Sequence, residues 1–332
     1  MSFLSPTLQH FFTTYLVGQR GASAHTVAAY RDTWKMLLTH VHTQRGIPPA
    51  DIELRDLNAE TITGFLQHLQ DVRGNSVQTR NARLAAIHAF FSYSSYHHPE
   101  QLDLIARVLA IRTKKATRTV LTYLADDEVE ALLAAPDQAT RTGQRDYTIV
   151  ATLITTGLRV GELTALRHQD IALAKPAHLI VHGKGRKERI TPLDQATVTT
   201  LSRWQAQRPD AGETAPLFSP QGSNRAISAD AIAARLQIHV HAAAETCPTL
   251  AAKKVTPHTL RHTCAMRMLA AGIDLTTIAL WLGHESTESV QSYLHADLKL
   301  KQRALDRLAP AAATAASRYK PEDQMLAFLE AL

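Results

Sequence analysis

Cysteine is nearly absent from this sequence of 332 residues, which contains only Cys247 and Cys264. Neither belongs to a CxxC pair, so neither a disulfide framework nor a zinc ribbon is expected, and a reducing compartment is the default. No run of about 18 apolar residues is present to span a membrane. The first residues lack the basic stretch that precedes the apolar part of a signal peptide. These absences predict a soluble protein of the cytoplasm.

Positive charge is in modest excess, with 36 Lys and Arg against 30 Asp and Glu, a formal net charge of +6 and a pI near 9.4. Many ordinary basic proteins have such a balance, although it also favours a polyanionic partner. Hydrophobic residues make up 45% of the chain and charged residues 20%. This composition is typical of a folded protein, and the length predicts two domains.

The first 110 residues have apolar side chains at helical spacing and few strand signals. Helix starts are predicted at Ser5-Pro6 and Ser23, where a side-chain cap precedes the apolar pattern, and near Asn58 and Ser76. A short fifth helix is predicted from about Glu100 to Ala110. Four or five helices with short connections indicate a small bundle.

A basic segment without periodicity, residues 111–119, follows the bundle. It contains Lys114, Lys115 and Arg118, and it predicts an interdomain linker, whose charge would suit a path over phosphates. A solvated loop inside one domain would have the same composition. The linker divides the chain into a helical domain at 1–110 and a second domain at 120–310, with a tail at 311–332 that ends in an amphipathic helix.

The second domain is mainly helical with one clear β signal. Short apolar runs at His178–Val181 and Arg189–Leu193 flank a basic turn with two glycines, which predicts a β-hairpin. The flanking glycines would expose Lys184 at the tip, and Arg186 and Lys187 add further positive charge. Lysine suits a proton donor because its pKa falls on desolvation or near other cations. A solvated basic turn is the alternative interpretation.

Two further stretches place an arginine beside a partner at helical spacing. Arg159 lies between Gly157 and Gly161 at a predicted helix start, and Glu162 falls three positions later on the same face. On its own, this pair could be a surface salt bridge.

His258 and Arg261 share a face in the same way, just after Pro257 in the first turn of a predicted helix, where anions bind favourably. His258 and His262 also have the spacing of a zinc-binding helix. Position 259 is threonine, however, so the glutamate base of that motif is missing.

The last stretch is Leu282-Gly283-His284, followed by Tyr293. The glycine predicts the end of one helix and the histidine the turn into the next. A tyrosine in such a helix is commonly part of a core.

Taken together, these residues resemble the active site of the tyrosine recombinases, the phage integrase and Xer type. The shared sequence motifs are T-G-L-R-x-G-E-L, the G-K-G hairpin, H-T-L-R-H, L-G-H and a terminal tyrosine. The order of these motifs along the chain also agrees with the family. The residues at the six catalytic positions are then Arg159, Lys184, His258, Arg261, His284 and Tyr293. The resemblance covers about residues 120–308, whereas the N-terminal bundle resembles the family's core-binding domain more loosely.

The resemblance implies a two-domain, mainly α fold with a small β-hairpin or sheet, closing around duplex DNA as a C-shaped clamp. Tyr293 would attack the scissile phosphate and form a 3′-phosphotyrosyl link, while the two arginines hold the non-bridging oxygens. His258 would assist loss of the tyrosine proton, Lys184 would protonate the leaving oxygen, and Glu162 would support the site. No metal or other cofactor is implied.

The working form implied by the resemblance is a homo-tetramer on two double-stranded DNA sites, associated with the nucleoid and not with a membrane. A type IB topoisomerase would use similar chemistry as a monomer. A silent DNA-binding regulator would be expected to lack one of the six residues. Integration, transposition and chromosome-dimer resolution all use the same six residues, and an integrase or transposase of a mobile element is the preferred interpretation.

Overall fold

The computed structural model describes residues 4–115, 121–183, 188–209 and 211–283. The chain divides into two compact units, Met1–Arg118 and Thr119–Leu332. Within the described ranges, every helix is too short or too polar to cross a membrane.

The first unit is a helical bundle. It contains a nine-residue π-helix at Phe11–Gln19, two short 3₁₀ turns at Leu54–Asp56 and Pro99–Gln101, and five α-helices. The α-helices are α1 (Leu4–His10), α2 (Ala24–Arg45), α3 (Ala59–Asp71), α4 (Val77–His97) and α5 (Leu102–Leu109).

Three of the predicted helix starts are confirmed by their capping geometry. The side chains of Ser23, Asn58 and Ser76 each accept a hydrogen bond from the backbone N–H three residues later. The prediction at Ser5 is wrong, because α1 already includes Leu4. The side chain of Leu4 is buried, and its amide donates to the carbonyl of Ile52.

Aromatic rings fill the centre of this bundle. Trp34 from α2 meets Phe90 from α4 with ring centroids 4.5 Å apart, and Phe90 also meets Phe11 at 5.3 Å. All three side chains are almost fully buried. The bundle therefore has its own hydrophobic core, as an independent domain requires.

The second unit contains a three-stranded sheet and seven further helices within the described residues. The strands are β1 (Ile171–Ala172), β2 (His178–His182) and β3 (Glu188–Pro192). The helices are α6 (Asp126–Ala134), α7 (Arg141–Thr156), α8 (Val160–Ala165), α9 (Gln195–Ala206), α10 (Ala229–Thr246), α11 (Pro257–Ala270) and α12 (Leu275–Leu282), with 3₁₀ turns at His168–Asp170 and Pro248–Ala252.

The predicted hairpin is confirmed as the antiparallel pair β2–β3, with Val181 opposite Arg189 and His182 opposite Glu188. The short strand β1, which adds to the free edge of β2, was not predicted from the sequence. A strand of only two residues has no room for the alternation by which strands are recognised.

Helix α7 lies at the centre of the second unit and sets the position of the site. Side chains on nearly all of its faces are buried, and it packs against α9 and α11. Its last turn ends at Gly157, in the left-handed conformation with φ +65°. A Cβ atom at this glycine would lie only 2.4 Å from Cδ2 of Leu282. The left-handed backbone and this close contact both favour glycine at position 157, where the end of α7 meets Leu282 of α12.

Candidate active site

Arg159 lies where α7 has ended and α8 begins. It occupies the N-cap of α8, and its half-exposed guanidinium donates from Nη1 to Oε1 of Glu162 at 2.9 Å. Its backbone N–H donates to Oε2 of the same carboxylate at 2.8 Å. The pairing predicted from the spacing is therefore confirmed, and the contact is more than a surface ion pair because the carboxylate is buried.

Glu162 accepts hydrogen bonds from two arginines. Besides the two bonds from Arg159, it accepts a bidentate pair from Arg189, with Nη1 at 2.9 Å and Nη2 at 2.8 Å. Burial alone would raise the pKa of Glu162. The hydrogen bonds from Arg189 and Arg159, with the positive charge of Arg189, outweigh burial and lower that pKa to about 2. Glu162 is therefore a carboxylate at any pH near neutrality.

Arg261 comes from α11 and has a relative exposure of 1%. Its Nη1 donates to the carbonyl of Gly157 at 2.6 Å, and its Nη2 donates to the carbonyl of Leu282 at 2.7 Å. These carbonyls belong to the C-terminal ends of α7 and α12, where helices carry partial negative charge and lack intrahelical donors. One guanidinium thus joins both helix ends to α11.

His258 stands one turn before Arg261, in the first turn of α11. Its ring lies edge-on to His262, with centroids 4.2 Å apart. Desolvation of the ring lowers the pKa of His258, and the positive charges of Arg261 and Arg159 lower it further. The neutral imidazole that a proton acceptor requires is therefore favoured near pH 7.

Thr259 occupies the position that the glutamate base holds in the zinc-binding helix motif. Its hydroxyl accepts a hydrogen bond from the Thr256 amide at 3.0 Å, its own amide donates to the Thr256 hydroxyl, and its side chain is buried. The residue at the position of a metalloprotease glutamate thus forms a capping box. Across the ranges that the structure describes, His, Cys, Asp and Glu side chains form no group of three suited to a metal ion.

Three arginines donate to three successive backbone carbonyls at the end of α12. Nε of Arg189 donates to Trp281 at 3.2 Å, Arg261 donates to Leu282, and Nη2 of Arg159 lies 3.4 Å from the oxygen of Gly283. The three side chains come from β3, α11 and the start of α8. Gly283 ends the helix in the left-handed conformation, as predicted, and the next residue is His284.

Arg189 was predicted from the sequence only as part of a strand and not as a residue of the site. Its side chain is 15% exposed and passes against Gly283, where an added Cβ would lie 2.9 Å from Nη1. A single arginine in a strand gives no sequence signal of a partner 27 residues away.

Of the predicted site residues, the structure gathers Arg159, Glu162, His258 and Arg261 at the meeting point of α7, α8, α11 and α12. Several others lie outside the described residues, namely Arg118, Lys184, Arg186, Lys187, His284 and Tyr293. Their assignments stay predictions.

Lys114 and Lys115 are described and belong to the first unit, where both are exposed. The backbone of Lys114 exchanges two hydrogen bonds with the side chain of Asn81, and its Nζ donates to Gln70 at 2.7 Å. The first part of the predicted linker is therefore held against the helical bundle.

Comparison with protein families defines the class. Residues 122–299 match the phage integrase family, and residues 10–96 match the SAM-like domain that occurs at the N-terminus of phage integrases. The chain belongs to the phage integrase family of tyrosine recombinases, which are DNA strand-transferring enzymes. The predicted class is confirmed, and the topoisomerase alternative is not favoured.

Two relatives illustrate the match over nearly the whole chain. An integrase/recombinase of Sinorhizobium fredii, y4rC, is 43% identical, covering 99% of this chain and 98% of its own. The tyrosine recombinase XerC of Pelobacter propionicus is 35% identical over 91% of this chain and 95% of its own.

Solved structures share the fold. The integrase of the transposon Tn1549, bound to transposon right end DNA, superimposes with a TM-score of 0.68 at 17% identity, covering 93% of this chain and 99% of its own. The recombinase XerH bound to a palindromic difH substrate gives a TM-score of 0.66 at 20% identity, covering 91% and 84%. The predicted mainly α fold with a small β element is thus confirmed.

Proposed function

We propose that this protein is a site-specific DNA recombinase that cuts and rejoins duplex DNA through a 3′-phosphotyrosyl link to Tyr293. The observation that carries the proposal is the convergence of Arg159, His258 and Arg261. Arg159 comes from the start of α8, whereas His258 and Arg261 come from α11. Burial lowers the pKa of His258, and the positive charges of both arginines lower it further. Cations beside a neutral imidazole suit attack on a phosphodiester, which already bears negative charge.

The arginines would provide the electrostatic part of the catalysis. Each guanidinium carries several N–H donors in a planar fork that matches two phosphate oxygens. Arg159 is half exposed and already oriented by Glu162, so its free edge is available to a non-bridging oxygen. Arg261 would hold the other oxygen. Because both groups are fixed before the reaction, little reorganisation is needed as charge develops.

The proton transfers would be divided between His258 and Lys184. His258 would accept the proton of the Tyr293 hydroxyl as it attacks in line, and Lys184 would protonate the 5′-oxygen that leaves. His284 would hydrogen-bond the phosphate. The phosphotyrosyl bond would conserve the free energy of the broken phosphodiester, so that a second 5′-hydroxyl could reverse the step without a nucleotide cofactor.

The test is to trap the covalent intermediate. Genomic DNA fragments enriched by binding to the protein would supply the site, and a duplex nicked near the cleavage position would lose the short strand that is needed for religation. We expect a protein–DNA adduct that survives denaturation, with the phosphate on Tyr293 by peptide mapping. The adduct should form equally well in excess EDTA, because the arginines and Lys184 would carry the charge that a metal would otherwise offset.

A matched control keeps the result specific. The same substrate with an intact opposite strand and no nick should give little adduct, because religation competes with trapping. If an adduct forms only after zinc or magnesium is added, the metal-free mechanism is wrong. If wild-type protein yields no adduct with any enriched fragment, the proposed function itself is contradicted.

We further propose that the protein acts in the cytoplasm as a homo-tetramer on two DNA sites, with both units on the duplex. Lys114, Lys115, Arg118, Arg186 and Lys187 would contact phosphates. A role in moving a mobile element is supported by the fold shared with the Tn1549 integrase. Four protomers are needed because strand exchange breaks four strands, each by its own tyrosine.

The tail offers a test of this assembly. Its predicted apolar stripe of Met325, Leu326, Phe328, Leu329 and Leu332 lies outside the described residues. Burying such side chains stabilises by roughly 1.5–3 kcal/mol each, and a short isolated helix needs that contact to fold. If the helix binds a neighbouring protomer, deleting Pro321–Leu332 should leave single half-site binding intact and reduce cooperative binding to paired sites in gel-shift titrations.

Docking of the helix on its own domain would give a different result. The same truncation would then lower the melting temperature of the free protein and weaken half-site binding as well. Unchanged cooperativity on paired sites would rule out docking between protomers.

A further inference from the structure

Arg189 makes more directed contacts at the site than any role in a strand requires. All three nitrogens of its guanidinium are used: Nη1 and Nη2 on the two oxygens of Glu162, and Nε on the carbonyl of Trp281. The first partner orients Arg159, and the second lies two residues before Gly283. One side chain therefore contacts both a proposed catalytic group and the helix end that leads to His284.

We propose that Arg189 is a positioning residue of the strand-transfer reaction, which fixes Arg159 through Glu162 and fixes the start of the His284–Tyr293 segment through the end of α12. This inference rests on the proposed function. Arg189 itself need not contact DNA, because all three nitrogens of its guanidinium already donate to protein acceptors.

The donor set on Glu162 supports this role. A carboxylate offers about four lone-pair sites, and Glu162 receives four hydrogen bonds, two from Arg159 and two from Arg189. Loss of Arg189 would leave half of those sites empty on a buried carboxylate. The carboxylate could then rotate, and the guanidinium of Arg159 would lose a fixed partner.

The position of Arg189 in β3 adds a second link. Arg189 is opposite Val181 in the β2–β3 pair, and the connection between these strands contains Lys184. The contact from Nε to Trp281 joins this pair of strands to α12. In the sequence, the proposed proton donor Lys184 lies between β2 and β3, and the proposed nucleophile Tyr293 follows α12. Arg189 forms a hydrogen bond between β3 and α12.

Only arginine meets these geometric demands. A lysine ammonium is a single point donor on a flexible stem and cannot form a bidentate pair with Glu162 while also reaching the Trp281 carbonyl. Arg189→Lys should therefore retain the charge and lose most of the orientation. Arg189→Gln removes both.

The experiment measures single-turnover cleavage of the nicked substrate at saturating protein, together with half-site affinity and thermal unfolding. For Arg189→Gln we expect the cleavage rate to fall by about 100-fold, since a displacement near 1 Å can have that effect, while affinity is nearly unchanged. The cleavage rate of Arg189→Lys should lie between the rates of the wild type and of Arg189→Gln. If Arg189→Gln does not fold, Arg189→Lys provides the same comparison.

Arg145→Gln is the matched control. Arg145 is also a buried arginine paired with a buried carboxylate, Asp146, at 2.8 Å, but it lies at the other end of α7. Its loss should lower the melting temperature without lowering the cleavage rate at a temperature where the variant is folded. If Arg145→Gln lowers the cleavage rate as much as Arg189→Gln does, both substitutions act by destabilising the fold, and Arg189 has no specific positioning role.

A double variant tests the path through Arg159. Because Arg189 is proposed to act on Arg159, adding Arg189→Gln to Arg159→Lys should slow cleavage much less than it does in the wild type. Additive losses, a wild-type rate in Arg189→Gln, or a loss confined to DNA affinity would each overturn the inference. Adduct formation by the wild type tests the proposed function separately.

Discussion

Tyr293→Phe should eliminate the covalent adduct while leaving binding to the DNA site nearly unchanged. The substitution removes only the hydroxyl oxygen and retains the ring, so the change in shape is small. Without a replacement nucleophile, the loss should be at least about a thousandfold, as is usual when a covalent nucleophile is removed. The nicked substrate, resolved on a denaturing gel, measures adduct formation, and a gel shift measures binding.

Tyr123→Phe is a suitable control in the same unit. Tyr123 is partly buried against the small core that α11 and α12 share, and its hydroxyl has no part in the proposed chemistry. This variant should form adduct normally. An adduct that survives in Tyr293→Phe would show that another side chain attacks the phosphate.

Lys184→Ala should slow cleavage of a normal phosphodiester by at least about 100-fold, the range over which a general acid contributes. The defect should largely disappear on a substrate in which the leaving 5′-oxygen is replaced by sulfur. A thiolate is a much weaker base than an alkoxide, so it departs without a proton. The ratio of the two rates therefore measures proton donation.

Arg186→Ala serves as the comparison in the same basic turn. As a predicted phosphate contact, Arg186 should affect both substrates to the same degree, through binding. If Lys184→Ala also shows equal defects on the two substrates, Lys184 is a phosphate contact and not the proton donor.

The sequence predicted those features of the fold that have a local cause. Ser23, Asn58 and Ser76 cap helices through hydrogen bonds to residues three positions away, and such bonds can be inferred from spacing. The hairpin and the end of α12 at Gly283 were predicted for the same reason. The π-helix at Phe11–Gln19 was not, since its apolar residues follow a pattern that also fits an ordinary α-helix.

At the site, sequence spacing identified the pairs on one helix but not the contacts between elements. Arg159 and Glu162 are three residues apart, so their contact was predictable. Arg261 meets Gly157 across 104 positions of sequence, and its partner there is a backbone carbonyl. Every residue has a carbonyl, so no sequence pattern marks the one that an arginine will meet. The contacts of Arg189 were inaccessible as well, because Glu162 is 27 residues away and Trp281 accepts through its backbone carbonyl.

Glu162 illustrates how the supporting residue differs from what its spacing suggested. The sequence predicted one partner, whereas the structure provides two arginines and a backbone amide. Together these donors hold its pKa near 2 in spite of burial. The carboxylate is therefore a fixed negative charge between two cations, which keeps both guanidinium groups oriented.

The three arginines on Trp281, Leu282 and Gly283 also define a point of attachment for the nucleophile. Tyr293 follows Gly283 by ten residues (293 − 283 = 10), so its Cα can lie at most about 33–36 Å away, whatever path the chain takes. A reactive group on so short a tether meets the phosphate at a local concentration fixed by the tether, and not by the amount of protein in solution. Once DNA is bound, cleavage should behave as a first-order process that further enzyme cannot accelerate.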